Sequence, residues 1–213
     1  MSAAVFDFSF PRRWQAEVLP ARPAILPARH YVYPRQAEEM ERGALEVLIR
    51  PGAVLTMVAP GPSPLGTWEG RPANIRTSAD QPFLATCALG FRDPAVPTGL
   101  WSTPQPEKIC AVAGGYAYLI DTTAPERFTM IPYRPVLEVR PAVEAGLLLF
   151  VGHRSILAWG REGQAWESTK LSDEGVTITG IEGSILRGTG WEMRTDRETA
   201  FAVDLQTGQR PDS

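Results

Sequence analysis

Ile109-Cys110-Ala111-Val112-Ala113-Gly114 and, 38 residues further on, Leu147-Leu148-Leu149-Phe150-Val151-Gly152 are the stretches whose reading decides the fold. Each is an apolar run of strand length closed by glycine. Tyr118-Leu119 follows the first run as Ile156-Leu157 follows the second, at the same offset, so both segments read as strand, tight turn, strand. A third hairpin is read over Ile178 to Leu186, where Glu182-Gly183 supplies a turn able to hold positive φ. Its spacing is shorter, so the repeat is imperfect.

Outward from these runs, further strands are expected at Leu45–Ile49, Val54–Val58, Phe83–Leu89, Tyr116–Ile120, Val136–Val139, Ser155–Trp159, Gln164–Glu167, Val176–Thr179, Ser184–Arg187 and Ala200–Asp204. Ala59–Pro64 and Asp93–Gly99, dense in proline and glycine, are expected to be loops. Pro34, then Arg35 to Arg42 and Gly43, carries a short helix signal: proline in the first turn, acids near the start, glycine at the end. Residues 1–36 differ from the rest, with Pro11, Pro20, Pro23, Pro27 and Pro34 and five arginines against Asp7 and Glu17. Because proline lacks a backbone donor and pushes its predecessor to extended conformations, this stretch is expected to be an extended basic arm of polyproline II or irregular chain, not a packed strand. Phe6, Phe8, Phe10, Trp14, Tyr31 and Tyr33 would anchor it to a single β domain over residues 37–213, or let it grip a partner.

A period near 40 residues with about four strands per unit is what propeller blades show. Ala200-Phe201-Ala202-Val203-Asp204-Leu205-Gln206-Thr207-Gly208 resembles the strand-plus-turn Asp-x-x-Thr-Gly ending of blades in quinoprotein-like propellers, and Ala158 to Trp166 is a looser version. In such a turn Asp204 accepts hydrogen bonds from the backbone that Thr207 and Gly208 close. The resemblance covers residues 105–208 and implies blade-like sheets. It implies no cofactor, because a short blade motif does not build a cofactor pocket. Beyond the repeat it is to bacterial proteins and implies no activity. After the arm, the chain is long enough for about four blades, and Leu45 to Trp101 fits the blade pattern poorly. The expected fold is therefore all-β, with antiparallel sheets arranged as propeller-like blades or a β-sandwich, an extended Pro-rich N-terminal arm and at most one or two short helices.

Composition narrows the function classes. With 44% apolar and 21% charged residues, the 213-residue chain is ordinary for a globular protein, and its net charge of −3 with scattered Lys and Arg offers no footprint for nucleic acid. The start, Met1 to Arg13, is interrupted by Asp7 and has its arginines after the apolar residues, unlike a signal peptide. No apolar window approaches the ~20 residues of a membrane-spanning helix. A cytoplasmic, membrane-free protein is the expectation. Cys87 and Cys110 sit in apolar stretches and suit buried thiols, with a bridge between them as the alternative.

The search for chemistry gives binding rather than catalytic candidates. His30 and His153 are far apart, with no cysteine or carboxylate at ligand spacing, so no metal is expected. His153 and Arg154 fall in the turn of the second hairpin; a Ser155 nucleophile there would need a base within reach and an orienting carboxylate. Gly114-Gly115 and Gly188-Thr189-Gly190 precede no helix and read as turns or bulges rather than phosphate cradles. The carboxylates Asp121, Asp173, Glu174, Glu192 and Asp196 could serve hydrolysis only if folding brings two together across a cleft. Trp191 to Glu198 reads as a loop laced with exposed ion pairs, or as a binding loop, since an aromatic beside arginines and acids has the composition of interface hot spots. Of six tryptophans, most should be core, and one or two at a sheet end could form a platform for a sugar or a peptide.

The expected function is accordingly that of a non-catalytic interaction module, with a protein partner or self-association through Trp191, Glu192, Arg194 and Asp196 and through His153 and Arg154. The alternative is a small-molecule or carbohydrate-binding protein with hydrolytic potential in a carboxylate pair.

Overall fold

The computed structural model describes residues 4–34, 42–52 and 81–211. The expected helix after Pro34, the strand Val54–Val58, the loop Ala59–Pro64 and Trp68 lie, apart from Arg42, outside the described residues. In chain order the strands are β1 (Val5–Asp7), β2 (Trp14–Leu19), β3 (His30–Tyr33), β4 (Ala44–Pro51), β5 (Phe83–Ala88), β6 (Gly99–Ser102), β7 (Lys108–Ala113), β8 (Tyr116–Asp121), β9 (Phe128–Met130), β10 (Glu138–Ala142), β11 (Leu147–Val151), β12 (Ile156–Gly160), β13 (Gly163–Glu167), β14 (Val176–Glu182), β15 (Ile185–Glu192) and β16 (Arg197–Asp204). They form four sheets: sheet 1, β2-β4-β5-β3; sheet 2, β1-β6-β7-β8-β9; sheet 3, β10-β11-β12-β13; sheet 4, β14-β15-β16. Among the described residues, no helix is long and apolar enough to cross a membrane.

The alternation of side chains along each strand stacks these sheets in a row. From β7, Ile109, Ala111 and Ala113 face a core shared with Val47, Ile49, Phe83 and Ala85 of sheet 1. Cys110 and Val112 between them face a second core, shared with Leu148, Phe150, Leu157 and Trp159 of sheet 3. The remaining residues of β11, Leu147, Leu149 and Val151, face a third core with Ile178, Leu186, Phe201 and Val203 of sheet 4. Sheets 2 and 3 are thus covered on both faces, which is why their strands read as continuous apolar runs instead of alternating ones. The order is 1, 2, 3, 4, and among the described residues no core joins sheet 4 back to sheet 1, so the blades do not close into a ring.

The hairpins that decided the fold are β7–β8 and β11–β12, as the 38-residue repeat requires. Gly114 and Gly115 close the first with φ of 55° and 77°, a two-residue turn that needs positive φ at both positions. The third hairpin is β14–β15, turning after Glu182. It occupies the first-hairpin place of its sheet, like β10–β11, whereas the counterpart of β11–β12 is β15–β16. The sequence spacing is short because the comparison shifts by one strand. The Asp204 turn forms as expected: its Oδ1 accepts from the Gln206 and Thr207 amides at 2.9 and 3.0 Å, and Gly208 N–H donates to Asp204 O at 2.8 Å. Asp121, considered above as a candidate acid, does the same for Thr123 and Ala124 at 2.9 and 3.2 Å, so its carboxylate serves the backbone after β8.

Within the expected arm, the described residues 4–34 depart from the expectation of unpaired chain, since β1 pairs parallel with β6, β2 antiparallel with β4, and β3 parallel with β5. The prolines fall between the strands and none lies within one, so the proline density of the whole stretch concealed three short proline-free segments. Their partners are remote in sequence, and no local pattern reports them. Phe10, Trp14 and Tyr33 are buried, and Trp14 Nε1 and Tyr33 Oη donate to the Lys108 and Pro125 carbonyls at 3.1 and 2.6 Å. Three further differences have similar causes. The strand expected at Val136–Val139 runs instead over Glu138–Ala142, tolerating Pro141 because β10 is an edge. β6 follows directly on the expected loop, and its Gly99 is required because a Cβ there would lie 1.9 Å from Val5 O of β1. Trp191 and Glu192 belong to β15 and Arg197 and Glu198 to β16, which leaves only residues 193–196 as turn.

Candidate functional site

Among the described residues, sheet 4 ends the stack with one face uncovered. Val176, Ile178, Leu186, Phe201 and Val203 point into the core against sheet 3, so Thr177, Arg187, Thr189, Trp191, Glu198 and Ala200 lie on the opposite face. That face is polar and small, unlike either face of sheets 2 and 3, so it is not built to receive another apolar sheet. The register sets Thr177 opposite Thr189 and Trp191 opposite Glu198. With Glu174 from the segment before β14, these side chains line an open cleft of about 420 Å³. Trp191 is 39% exposed, whereas Trp14, Trp101, Trp159 and Trp166 are all below 9%.

A strap over residues 168–174 fixes the end of β15 beneath this cleft. Ser172 Oγ accepts from Trp191 N at 2.8 Å and donates to Trp191 O at 3.2 Å, and Asp173 N donates to the same carbonyl at 2.7 Å. Asp173 Oδ2 accepts from Met193 N at 2.9 Å while its Oδ1 pairs with Lys170. The Lys170 ammonium first, and the Met193 amide second, hold the Asp173 carboxyl below its ordinary pKa. The other end of the strap is tied to the β11–β12 turn, where Arg154 O accepts from Leu171 N at 2.7 Å and Ser172 N at 3.3 Å.

The strap therefore links the two groups of residues that sequence singled out, although they enter it through main chain and not as converging side chains. Arg154 contributes its carbonyl, and its side chain and that of His153 are exposed. Glu192 accepts from Thr195 Oγ1 at 2.7 Å and lies 3.9 Å from Arg194, so these residues brace the β15–β16 turn. Asp196 holds that turn with φ of 51°, a left-handed conformation that Asp tolerates. Of the predicted binding residues only Trp191 lines the cleft. Glu198 lines it too, as the end of the stretch read as a binding loop, although it stands on β16; Thr177 and Thr189 have no signal in sequence, because nothing but strand register puts them beside Trp191, and Glu174 is legible only as a possible acid.

Two further polar clusters were also illegible in sequence. Beside the β11–β12 turn, Tyr133 Oη lies 2.8 Å from Ser155 Oγ and donates to Glu167 Oε1 at 2.9 Å, while Ser155 donates to the same oxygen at 3.2 Å. Burial and the Glu167 carboxylate raise the Tyr133 pKa, so the phenol stays protonated as a donor. Ser155 is partnered by a phenol and a carboxylate, and the His153–Ser155 pairing considered above does not form. In sheet 1, His30 Nε2 lies 2.8 Å from Thr86 Oγ1, which donates to Glu46 Oε2 at 2.5 Å. A hydroxyl has one proton, so with Thr86 donating to Glu46 the His30 contact requires an Nε2–H donor. Glu46 is only 6% exposed, and burial foremost, then Arg22, lowers the His30 pKa against the opposing pull of Glu46. Among the described residues no three potential ligands are gathered for a metal. In comparisons with known proteins the chain matches no family model, no curated protein and no solved structure, and its site is read from its own geometry.

Proposed function

We propose that this chain is a non-catalytic recognition module, a stack of sheets that presents a binding surface on the outer face of sheet 4 with Trp191 at its centre. The observation that carries this reading is the exposure of one large aromatic beside a cleft, on a strand end fastened by four hydrogen bonds from the strap. An indole held at 39% exposure exposes apolar area to water, and rigid aromatic anchors of this kind dominate binding energy where they are covered by a ligand. Met193, on the adjoining turn, is 67% exposed, and a second exposed apolar side chain so near in sequence is compatible with a protein partner or a second copy of the chain as one class of ligand. The test is to probe the full chain on peptide and glycan arrays beside its Trp191→Ala variant, with melting temperatures confirming that both are folded. Binding that is lost in the folded variant supports the reading. Binding that persists unchanged overturns it.

A further inference from the structure

We infer that the cleft on sheet 4 is a saccharide subsite, with the Trp191 ring as the platform for a pyranose and the Thr177, Thr189 and Glu198 side chains as its hydroxyl-recognising groups. This rests on the recognition reading above and adds the class of ligand. Four side chains stand on the outer face in two cross-strand pairs, Thr177 with Thr189 and Trp191 with Glu198. Opposed residues lie about 5 Å apart and same-face neighbours along a strand about 7 Å apart, so the four mark out a patch the size of a sugar ring.

The chemistry of the patch fits a polyol better than a cation. An ammonium or guanidinium ligand needs only acceptors, and it would be met here by Arg187 on the same face, with Arg194 at the adjoining turn. Sugar hydroxyls both donate and accept. Threonine hydroxyls offer both functions, and the Glu198 and Glu174 carboxylates accept from hydroxyl pairs while Trp191 covers the apolar C–H face of the ring. The small side chains at Thr177, Thr189 and Ala200 leave room for a ring to lie flat beside the indole. The surface is open, so the affinity of a single ring should be weak and a chain of several sugars should bind better.

The experiment is NMR titration of the full chain, following the backbone amide resonances of Thr177, Thr189 and Glu198 together with, where Trp191 is present, its indole N–H, with cellohexaose, maltohexaose, chitohexaose and, for contrast, a hexalysine peptide, each to millimolar concentration. The expected result is a saturable shift with at least one hexasaccharide, abolished as a binding event by Trp191→Ala, partly retained by Trp191→Phe, and weakened about tenfold or more by Glu198→Gln, because a charge-assisted hydrogen bond is lost. No hexasaccharide shift at Trp191, or an affinity unchanged by Glu198→Gln, overturns the saccharide assignment. A hexalysine shift without a saccharide shift overturns it in favour of a cationic peptide while leaving Trp191 as the recognition centre. The recognition reading itself fails only if the arrays show binding that is indifferent to Trp191.

Discussion

The His30–Thr86–Glu46 chain shows how much a single buried hydroxyl can control. Replacing Thr86 by Val keeps the shape and removes the proton that Glu46 accepts, leaving a carboxylate 6% exposed without that donor. The expected cost is about 1–3 kcal/mol, read as a lower urea midpoint with unchanged slope. The His30 pKa is lowered on folding, so the unfolded chain binds more protons in the range below the ordinary histidine value of 6.5. The stabilisation is present above that value and is lost as pH falls through the folded pKa. His30→Gln should therefore flatten the decline in melting temperature between about pH 7 and pH 5. Cys87 and Cys110 are both free and fully buried, and burial raises both thiol pKa values. Cys87 faces the core between sheets 1 and 2, and Cys110 the core between sheets 2 and 3, so the sheet 2 backbone separates them. Neither should react with a thiol reagent at neutral pH until the protein is unfolded, and reaction of either in the native state would contradict this placement.

At the scale of elements, the short N-terminal strands are the sharpest test of the architecture. A methyl group at position 99 would collide with the Val5 carbonyl, so Gly99→Ala should push β1 off the edge of sheet 2. Hydrogen exchange at residues 4–8 should rise while protection in β7 and β8 is kept. Deleting residues 1–36 removes β1, β2 and β3 together with the buried Phe10, Trp14 and Tyr33. The truncated chain should lose its cooperative thermal transition in circular dichroism, and a soluble truncation with an unchanged melt would show that these strands are dispensable. The proline count over this stretch pointed to irregular chain. Parallel pairing to β5 and β6 decided otherwise, because strand formation here is driven by partners more than 50 residues away.

For the whole molecule, the consequence of stacking is shared cores. Phe150 from sheet 3 is fully buried against Cys110, Val112 and Leu119 of sheet 2, so Phe150→Ala opens a cavity between sheets instead of within one. It should cost about 3–5 kcal/mol, and tryptophan fluorescence and circular dichroism should report one coincident transition. Separate transitions would mean that the sheets unfold independently. The sequence by itself determined the all-β class, the β7–β8 and β11–β12 hairpins and the Asp204 turn. Each rests on interactions within a few residues: apolar runs, paired glycines, and a carboxylate beside the amides it accepts from. It also placed Trp191 among the binding candidates, on composition alone. Only the tertiary structure decided the order of the sheets, the integration of residues 5–33, and the open face where Thr177, Thr189 and Glu198 meet Trp191. Those depend on which strands pair and which face each sheet buries: a shift of one residue turns every side chain to the opposite face, and in sheet 4 the buried face is the one packed against sheet 3.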